Sequence, residues 1–295
     1  MDRCSFIFGE DYPYVSDGHA GYGPIRRGVG PRFAHRGQAI HDMIEHVAGL
    51  DWSTGKIGMI GMSHYCWSQW NAARTRPAHL TCLGAYDGAT DMYRDWMYQG
   101  GIPIRGFLNS WMFGSVLLQH MAKGLPMTEN SRDRVIYDMY AYPFDDEWQR
   151  RRSPFWELDR VDIPVLSIGD SGKASLHLRR NFDGYRLVKG PKQLLIVGAQ
   201  TFAETQALFS QSDFHRAELL PRYDHHLKGL ANGVMDKVRF FVQGSERPRL
   251  AAARCHDRRI LPERRAKRTR RDSERWLIGR ERPQRRQRGN QLDIP

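Results

Sequence analysis

A serine at position 63 stands where a short apolar run gives way to a helix-compatible stretch. The run, Ile57–Ile60, ends in Gly61-Met62-Ser63, and His64–Ala73 follows. A strand, a sharp turn and a helix in this order push a serine hydroxyl out at the carboxyl end of a sheet, which is the geometry of a nucleophile elbow. Such a serine attacks a carbonyl carbon when a histidine removes its proton. The alternative is a serine that merely caps the helix, since serine is a good N-cap.

The elements around Ser63 predict a parallel sheet. Apolar residues recur at spacings of three and four over residues 37–50, which is typical of an amphipathic helix. Strands are predicted at Ile57–Ile60 and Leu80–Tyr86, on either side of a helix over His64–Ala73. Strand, helix and strand form a βαβ unit, so the two strands should run parallel.

The alternation of strands and helices stops at residue 91 and resumes near residue 161. Residues 91–160 are rich in Trp, Met and Tyr and predict a helical insertion, with helices over 111–123 and 132–140. Later strands are predicted near 160–169, 193–197 and 238–242, with a helix over 214–228 that ends at Gly229.

The composition is that of a globular protein with one basic region. Of the net charge of +12, the stretch 246–295 contributes +10, from 17 Arg and Lys against 7 Asp and Glu. Such a patternless basic stretch is typical of a disordered tail, and without aromatic interleaving it does not predict a nucleic-acid-binding module. No apolar run is long enough to span a membrane and no secretory signal is recognisable, so we expect a cytoplasmic protein.

The sequence does not predict a metal or a cofactor. The four cysteines are scattered without C-x-x-C spacing, and no pair of histidines has metal-ligand spacing. Gly28-Val29-Gly30 lacks the third glycine and the preceding strand of a phosphate-binding loop.

Several segments in the same order resemble the CocE/NonD-type hydrolases, the cocaine esterase and Xaa-Pro dipeptidyl-peptidase family. They are Leu50-Asp51-Trp52-Ser53-Thr54-Gly55-Lys56-Ile57-Gly58-Met59, Gly61-Met62-Ser63-His64-Tyr65, Asp91-Met92-Tyr93 with Gly100-Gly101, Val161-Asp162-Ile163-Pro164-Val165-Leu166 and Tyr223-Asp224-His225-His226-Leu227-Lys228-Gly229. The resemblance covers roughly residues 38–244. It implies a partial α/β-hydrolase core (1–90 and 161–244) with a mainly parallel sheet and an inserted helical cap (91–160). Residues 245–295 are the basic, disordered tail that the composition predicts.

The resemblance implies a Ser-Asp-His triad that cleaves an ester or amide through an acyl-enzyme. Ser63 is then the nucleophile, and the His64 backbone N–H is one oxyanion donor. Asp170 is the expected acid because it is the carboxylate on the loop after the third strand; Asp183 is an alternative, and alignment on Leu176 puts Lys173 at the acid's position.

The histidine of the family follows the next strand, where this chain has Gln200 and Thr201. His215 is the first histidine downstream and is the expected base, while His64 and His177 lie nearer to Ser63 in sequence. Tyr65 and Cys66 also replace the glycine that normally follows the nucleophile.

Two parts of the family's architecture are not recognisable. Only 62 residues precede Ser63, and no β-rich sequence for a C-terminal jelly roll follows Gly244, so we hypothesise a truncated product. An uncovered edge of a parallel sheet predicts poor solubility or a partner such as a second copy of the chain.

Two functions follow from the sequence. The first is a serine hydrolase without a cofactor, acting on a small ester or on a peptide such as an Xaa-Pro dipeptide. The alternative is a catalytically inactive or fragmentary hydrolase-like protein that serves at most as a binding module.

Overall fold

The computed structural model describes residues 36–111, 138–199, 201–232, 238–241 and 250–252, with four single residues between 113 and 122. The expected strand at Ser5–Phe8, most of the helix over 111–123 and nearly all of the basic tail lie outside this part. The helix expected over 132–140 falls within it only from residue 138 onward.

A six-stranded sheet forms the centre of the described fold. Its spatial order is β1-β2-β5-β6-β7-β8, and every neighbouring pair is parallel except the last, β7 and β8. The expectation of a mainly parallel sheet is therefore confirmed. The strands are β1 Ile57–Met62, β2 Leu80–Tyr86, β5 Val165–Asp170, β6 Lys192–Val197, β7 Val238–Phe241 and β8 Leu250–Ala252. A separate hairpin pairs β3 Tyr98–Gln99 with β4 Ile102–Pro103.

Helices cover the two faces of the sheet. The described helices are α1 Arg36–Ala48, α2 His64–Ala73, α3 Arg105–Trp111, α4 Glu147–Arg150, α5 Leu178–Leu187, α6 Phe202–Phe209, α7 Ser212–Glu218 and α8 Leu220–Lys228, of which α3 and α4 belong to the segment between β2 and β5. The bounds of α2 and β2 agree with the sequence prediction, because the turn at Ser63 precedes α2 and Pro77 separates it from β2.

The single helix expected over 214–228 is wrong; two helices, α7 and α8, occupy that region. The chain breaks at Leu219, and Pro221 lies in the first turn of α8. Proline has no N–H to donate and its ring crowds the preceding turn, so it starts a helix more readily than it continues one. The predicted end is confirmed, because Gly229 caps α8 with a left-handed φ of 75°.

Alternate residues of the strands belong to two separate apolar clusters, one on each face of the sheet. Val165 packs with Trp70 on one face of the sheet, whereas Leu166 packs with Tyr86 and Tyr223 on the other. Successive side chains of a strand point to opposite faces of the sheet, and helices cover both faces. Both sets of side chains are therefore apolar, and the strands are continuous apolar runs in the sequence.

The segment between β2 and β5 packs into a third cluster that contacts the start of α2. Its described elements are short: a π-helical turn at Tyr93–Met97, the β3–β4 hairpin, α3, α4 and a 3₁₀ helix at Pro154–Arg160. Trp67 of α2 joins Trp96 and Met97 in this cluster. That the segment between β2 and β5 is a cap domain with boundaries at residues 91 and 160 stays a prediction.

Within the described part of the chain, no helix combines the length and the apolar character that crossing a bilayer requires.

We predict that Gly84→Ala in β2 lowers the free energy of unfolding by about 1–3 kcal/mol, the usual cost of overpacking. An added Cβ would lie 2.5 Å from Tyr223 Oη and 2.9 Å from Leu219 Cδ2. Gly106→Ala in α3 is the control, since nothing lies within 4 Å of its added Cβ. Urea unfolding should show the Gly106 variant unchanged or stabilised by less than about 1 kcal/mol; equal effects of the two variants would contradict the packing described here.

Candidate active site

Ser63 lies on a strained turn between β1 and α2. Its φ of 58° and ψ of −112° are sparsely populated for a residue with a side chain. The Ser63 N–H donates to the carbonyl oxygens of Tyr86 (3.1 Å) and Asp87 (2.9 Å), and its own carbonyl accepts from Trp67 N (3.0 Å). The neighbouring strand end and the first turn of α2 thus hold the turn in the nucleophile-elbow geometry that the sequence predicts.

Gly88 provides the space that the elbow needs. A Cβ added at Gly88 would lie 2.3 Å from Cys66 Cβ and 2.6 Å from Ser63 O. Cys66 is one of the larger residues that follow Ser63 where relatives have glycine. Gly88, which follows β2, faces Cys66 and has no side chain. The backbone after β2 can therefore lie close to the elbow even though Cys66 is larger than glycine.

His177 contacts the Ser63 hydroxyl, with Nε2 3.1 Å from Oγ. The residue follows β5 and the short 3₁₀ turn Ser171–Lys173, and it is buried. It is the centre of a γ-turn, with φ 74° and ψ −46°, in which Leu178 N donates to Leu176 O (3.0 Å). This form of γ-turn is rare and strained, and such strain persists where surrounding structure enforces it.

Asp95 orients His177 with both of its carboxylate oxygens. Oδ1 accepts from the His177 backbone N–H (2.8 Å), and Oδ2 lies 2.7 Å from Nδ1. The ionised carboxylate can only accept, so the ring proton lies on Nδ1 and the lone pair of a neutral ring lies on Nε2, facing Ser63. Ser63, His177 and Asp95 form a continuous chain of hydrogen bonds with the geometry of a catalytic triad.

The π-helical turn Tyr93–Met97 carries Asp95 into this position. Tyr98 N donates to Tyr93 O, the i→i−5 bond of a π-helix, Asp95 N donates to Asp91 O (3.0 Å) ahead of the turn, and Asp95 is 2% exposed. Single π-helical turns are often found at functional sites. Asp95 was not among the acids that the sequence suggested, because nothing in its spacing signals that the insertion reaches the loop after β5.

The expected acid, Asp170, makes other contacts. It ends β5, is fully buried, and accepts hydrogen bonds from Gly172 N (2.9 Å) and Thr205 Oγ1. Burial raises the pKa of its carboxyl group, against the effect of these two donors. Asp170 therefore stabilises the turn after β5, and the carboxylate bonded to the histidine beside Ser63 belongs to Asp95.

The expected base, His215, also lies elsewhere. It is buried in α7, its Nε2 bonds to Phe209 O, and its ring packs edge-on against Phe209 and Phe214. Burial lowers the pKa of His215. Both phenylalanines pack against Tyr86 under the sheet, whereas the histidine at Ser63 Oγ is His177. The other suggested acid, Asp183, pairs with Arg180 and Arg186.

His64 is the first residue of α2, directly after Ser63. Backbone N–H groups at a helix start point outward from the helix and commonly bind anions, as expected for an oxyanion donor. The His64 ring stacks on Trp67 with centroids 5.4 Å apart and lies 5.8 Å from Trp111. The ring thus joins the site to the aromatic cluster of the insertion.

Among the residues that the structure describes, no group of three or more His, Cys, Asp or Glu side chains is arranged to hold a metal ion.

The chain is similar to known proteins in sequence and in fold. A sequence model of the X-Pro dipeptidyl-peptidase (S15) family matches residues 14–201, which is more than half of the chain. The chain belongs to the S15 family. It is 23% identical over 290 residues to the cocaine esterase of Rhodococcus sp. (strain MB1 Bresler), a match that covers 78% of this chain and 49% of that protein.

Two solved structures share the fold. A CocE/NonD family hydrolase from Staphylococcus aureus superposes with a TM-score of 0.63 at 23% identity, covering 75% of this chain and 38% of that one. An aminopeptidase from a marine sediment Thaumarchaeota archaeon gives a TM-score of 0.53 at 13% identity, over 72% and 42% of the two chains. This S15-family chain spans half or less of the length of these relatives.

We predict that Gly88→Ala lowers the free energy of unfolding by about 1–3 kcal/mol, because its Cβ would meet the backbone of Ser63 and cannot be accommodated by a side-chain rotation. Gly49→Ala is the matched control, since its added Cβ comes no closer than 3.6 Å to another atom. Urea unfolding of both variants measures the difference. A Gly88 variant as stable as the control would contradict the close approach at the elbow.

Proposed function

We propose that this S15-family chain is a serine hydrolase in which Ser63 is the nucleophile, His177 the general base and Asp95 the residue that orients the base. The proposal rests on two hydrogen-bond contacts made by the same histidine ring. Ser63 Oγ lies 3.1 Å from His177 Nε2, and His177 Nδ1 lies 2.7 Å from Asp95 Oδ2. This proposal replaces the expected Asp170 and His215 by residues that the hydrogen bonds join to Ser63.

The proposed reaction is acyl transfer in two steps. Ser63 Oγ attacks the substrate carbonyl carbon while His177 Nε2 takes the hydroxyl proton, and the buried Asp95 carboxylate stabilises the resulting imidazolium. The His64 N–H stabilises the negative charge on the carbonyl oxygen. His177 then donates its proton to the leaving alcohol or amine, and water releases the acyl group from Ser63 by the same route in reverse.

We propose an ester or a peptide of the Xaa-Pro type as substrate. The support is the family's name and the cocaine esterase relative. An apolar substrate group is favoured because the aromatic cluster of the insertion reaches the residue after Ser63, where Trp111 contacts the His64 ring. No cofactor takes part in this mechanism.

The competing function is a binding module without catalysis. The observation that favours it is Gln200, which stands where relatives of this type have the catalytic histidine. His177 weakens this alternative, because its ring nitrogen already lies within hydrogen-bond distance of Ser63 Oγ. Measurements on Ser63 decide between the two functions.

The first test is covalent labelling of the folded protein with a fluorophosphonate probe. We expect labelling of the wild type at Ser63 and none of Ser63→Ala, because the probe needs an activated serine. Ser68→Ala is the matched control, since Ser68 lies in α2 and donates its hydroxyl to His64 O. Folded wild-type protein that shows no Ser63-dependent labelling would exclude the hydrolase function.

The second test compares the two possible triads through p-nitrophenyl ester hydrolysis. We expect Asp95→Asn to lower kcat by about 10⁴-fold, because an amide at this position favours the wrong tautomer of His177. Asp170→Asn should stay within about tenfold of the wild type, since its contacts go to Gly172 and Thr205.

The corresponding histidine pair is His177→Gln and His215→Gln. We expect His177→Gln to lower kcat by about 10³-fold or more. We expect His215→Gln to lower the free energy of unfolding while changing kcat little. Circular dichroism and urea unfolding confirm that each variant is folded. If His215→Gln and Asp170→Asn were the inactivating substitutions, the assignment of His177 and Asp95 would be wrong.

A further inference from the structure

A buried ion pair lies beside the three proposed catalytic residues without belonging to them. Lys173 Nζ is 2.5 Å from Asp87 Oδ2, and the two side chains are 4% and 0% exposed. Removing two charges from water costs several kcal/mol per ion, so a buried pair is weak support for stability by itself. The two residues lie on the two segments that carry Ser63 and His177, so the pair bears on how these segments are held together.

Asp87 is fixed at the end of β2, against the elbow. Its carbonyl accepts the Ser63 N–H (2.9 Å), its own N–H donates to Ile168 O (2.6 Å), and its φ of 45° turns the chain there. The Asp87 carboxylate is thus attached to the same backbone that shapes the turn of Ser63.

Lys173 is fixed on the loop that carries His177. It ends the 3₁₀ turn Ser171–Lys173 after β5, and its carbonyl accepts from Leu176 N (2.9 Å), one residue before His177. The contact between Lys173 and Asp87 therefore joins the loop of the base to the strand end behind the nucleophile. In the family resemblance Lys173 stands at the acid's position, so this chain has a cation where relatives have a carboxylate.

The charges that face His177 come from several elements. Asp95 reaches it from the π-helical turn and Asp87 from the end of β2. Lys173, on the loop of His177, pairs with Asp87, and Asp170 at the end of β5 interacts electrostatically with both members of the pair. Burial raises the pKa of Asp87, against the attraction of the His177 and Lys173 charges. Cys66 of α2 faces both carboxylates, and burial raises the pKa of its thiol well above the ordinary value, so it contributes no charge.

We infer that Lys173 and Asp87 are positioning residues, a buried ion pair that ties the His177 loop to the elbow and balances the charge beside the His177 ring. This inference rests on the proposed function of Ser63 and His177. With the pair intact, the Lys173 ammonium offsets the Asp87 carboxylate, and it also faces the buried Asp170 carboxylate at the end of β5. Loss of Lys173 leaves more negative charge near the ring, which favours the imidazolium that cannot accept the serine proton. Loss of the Asp87 charge leaves more positive charge there, which disfavours the imidazolium.

The test is the pH profile of kcat/KM for a p-nitrophenyl ester. We expect Lys173→Met to move the acid limb of the profile to higher pH and Asp87→Asn to move it to lower pH, each by roughly 1 pH unit. The double variant should return the limb toward the wild type, and Lys173→Arg should leave it in place. A purely structural pair would lower activity without shifts of opposite sign.

The matched control is the exposed pair of Arg76 and Asp162, whose ions are 2.7 Å apart and whose side chains are 58% and 54% exposed. Arg76→Met and Asp162→Asn should leave the profile unchanged, because solvent screens that pair. Equal shifts from the control pair, shifts of the same sign from Lys173→Met and Asp87→Asn, or no shift would each overturn the inference. Variants of the buried pair that unfold altogether would assign it to folding alone and overturn it as well.

A second readout separates this inference from the proposed function. The His177 ring resonances, followed by NMR from pH 4 to 10 and assigned with His177→Gln, report the same charge balance without turnover. An inactive wild type would reject the hydrolase function, while opposite movements of this titration in Lys173→Met and Asp87→Asn would still support the ion pair's role. Unmoved resonances in an active enzyme would overturn the inference alone.

Discussion

The site depends on one contact, the double hydrogen bond between the Asp95 carboxylate and His177. One oxygen accepts from the backbone N–H and the other meets the ring, so the position and the rotation of the imidazole are fixed together. Both residues are buried, where hydrogen bonds to a charged group are worth about 1.5–3 kcal/mol. Because Asp95 belongs to the insertion and His177 to a sheet loop, the His177 ring is held in this orientation only when the two parts are packed together.

Backbone strain at two strand ends supports this arrangement. Ser63 and His177 both have positive φ, at 58° and 74°, and each lies just beyond the carboxyl end of a parallel strand or the short turn after it. Such conformations cost of order 1–3 kcal/mol each and persist only where neighbours enforce them. The end of β2 holds Ser63 through the carbonyls of Tyr86 and Asp87, and Asp95 holds His177 through its backbone N–H.

The sequence predicts the parts of this fold that local patterns determine. The spacing of apolar residues specifies α1, α2, β1 and β2, and Gly61-Met62-Ser63 specifies the elbow between them. Asp95 and His177 are 82 residues apart, and their meeting depends on how the insertion packs, which no local period records. His215 was expected because it follows β6 in chain order, but chain order does not reveal that aromatic packing buries it under the sheet.

A triad is defined by where its atoms lie and not by which strands supply them. Relatives of this family place the acid after one strand and the histidine after the next, and at these positions the chain has Lys173 and Gln200. In the proposed assignment, the base His177 lies on the loop that would carry the acid, and the acid Asp95 comes from the insertion. A cation on this loop disfavours an imidazolium nearby, and in the proposed assignment the buried Asp87 carboxylate, paired with Lys173, offsets that charge.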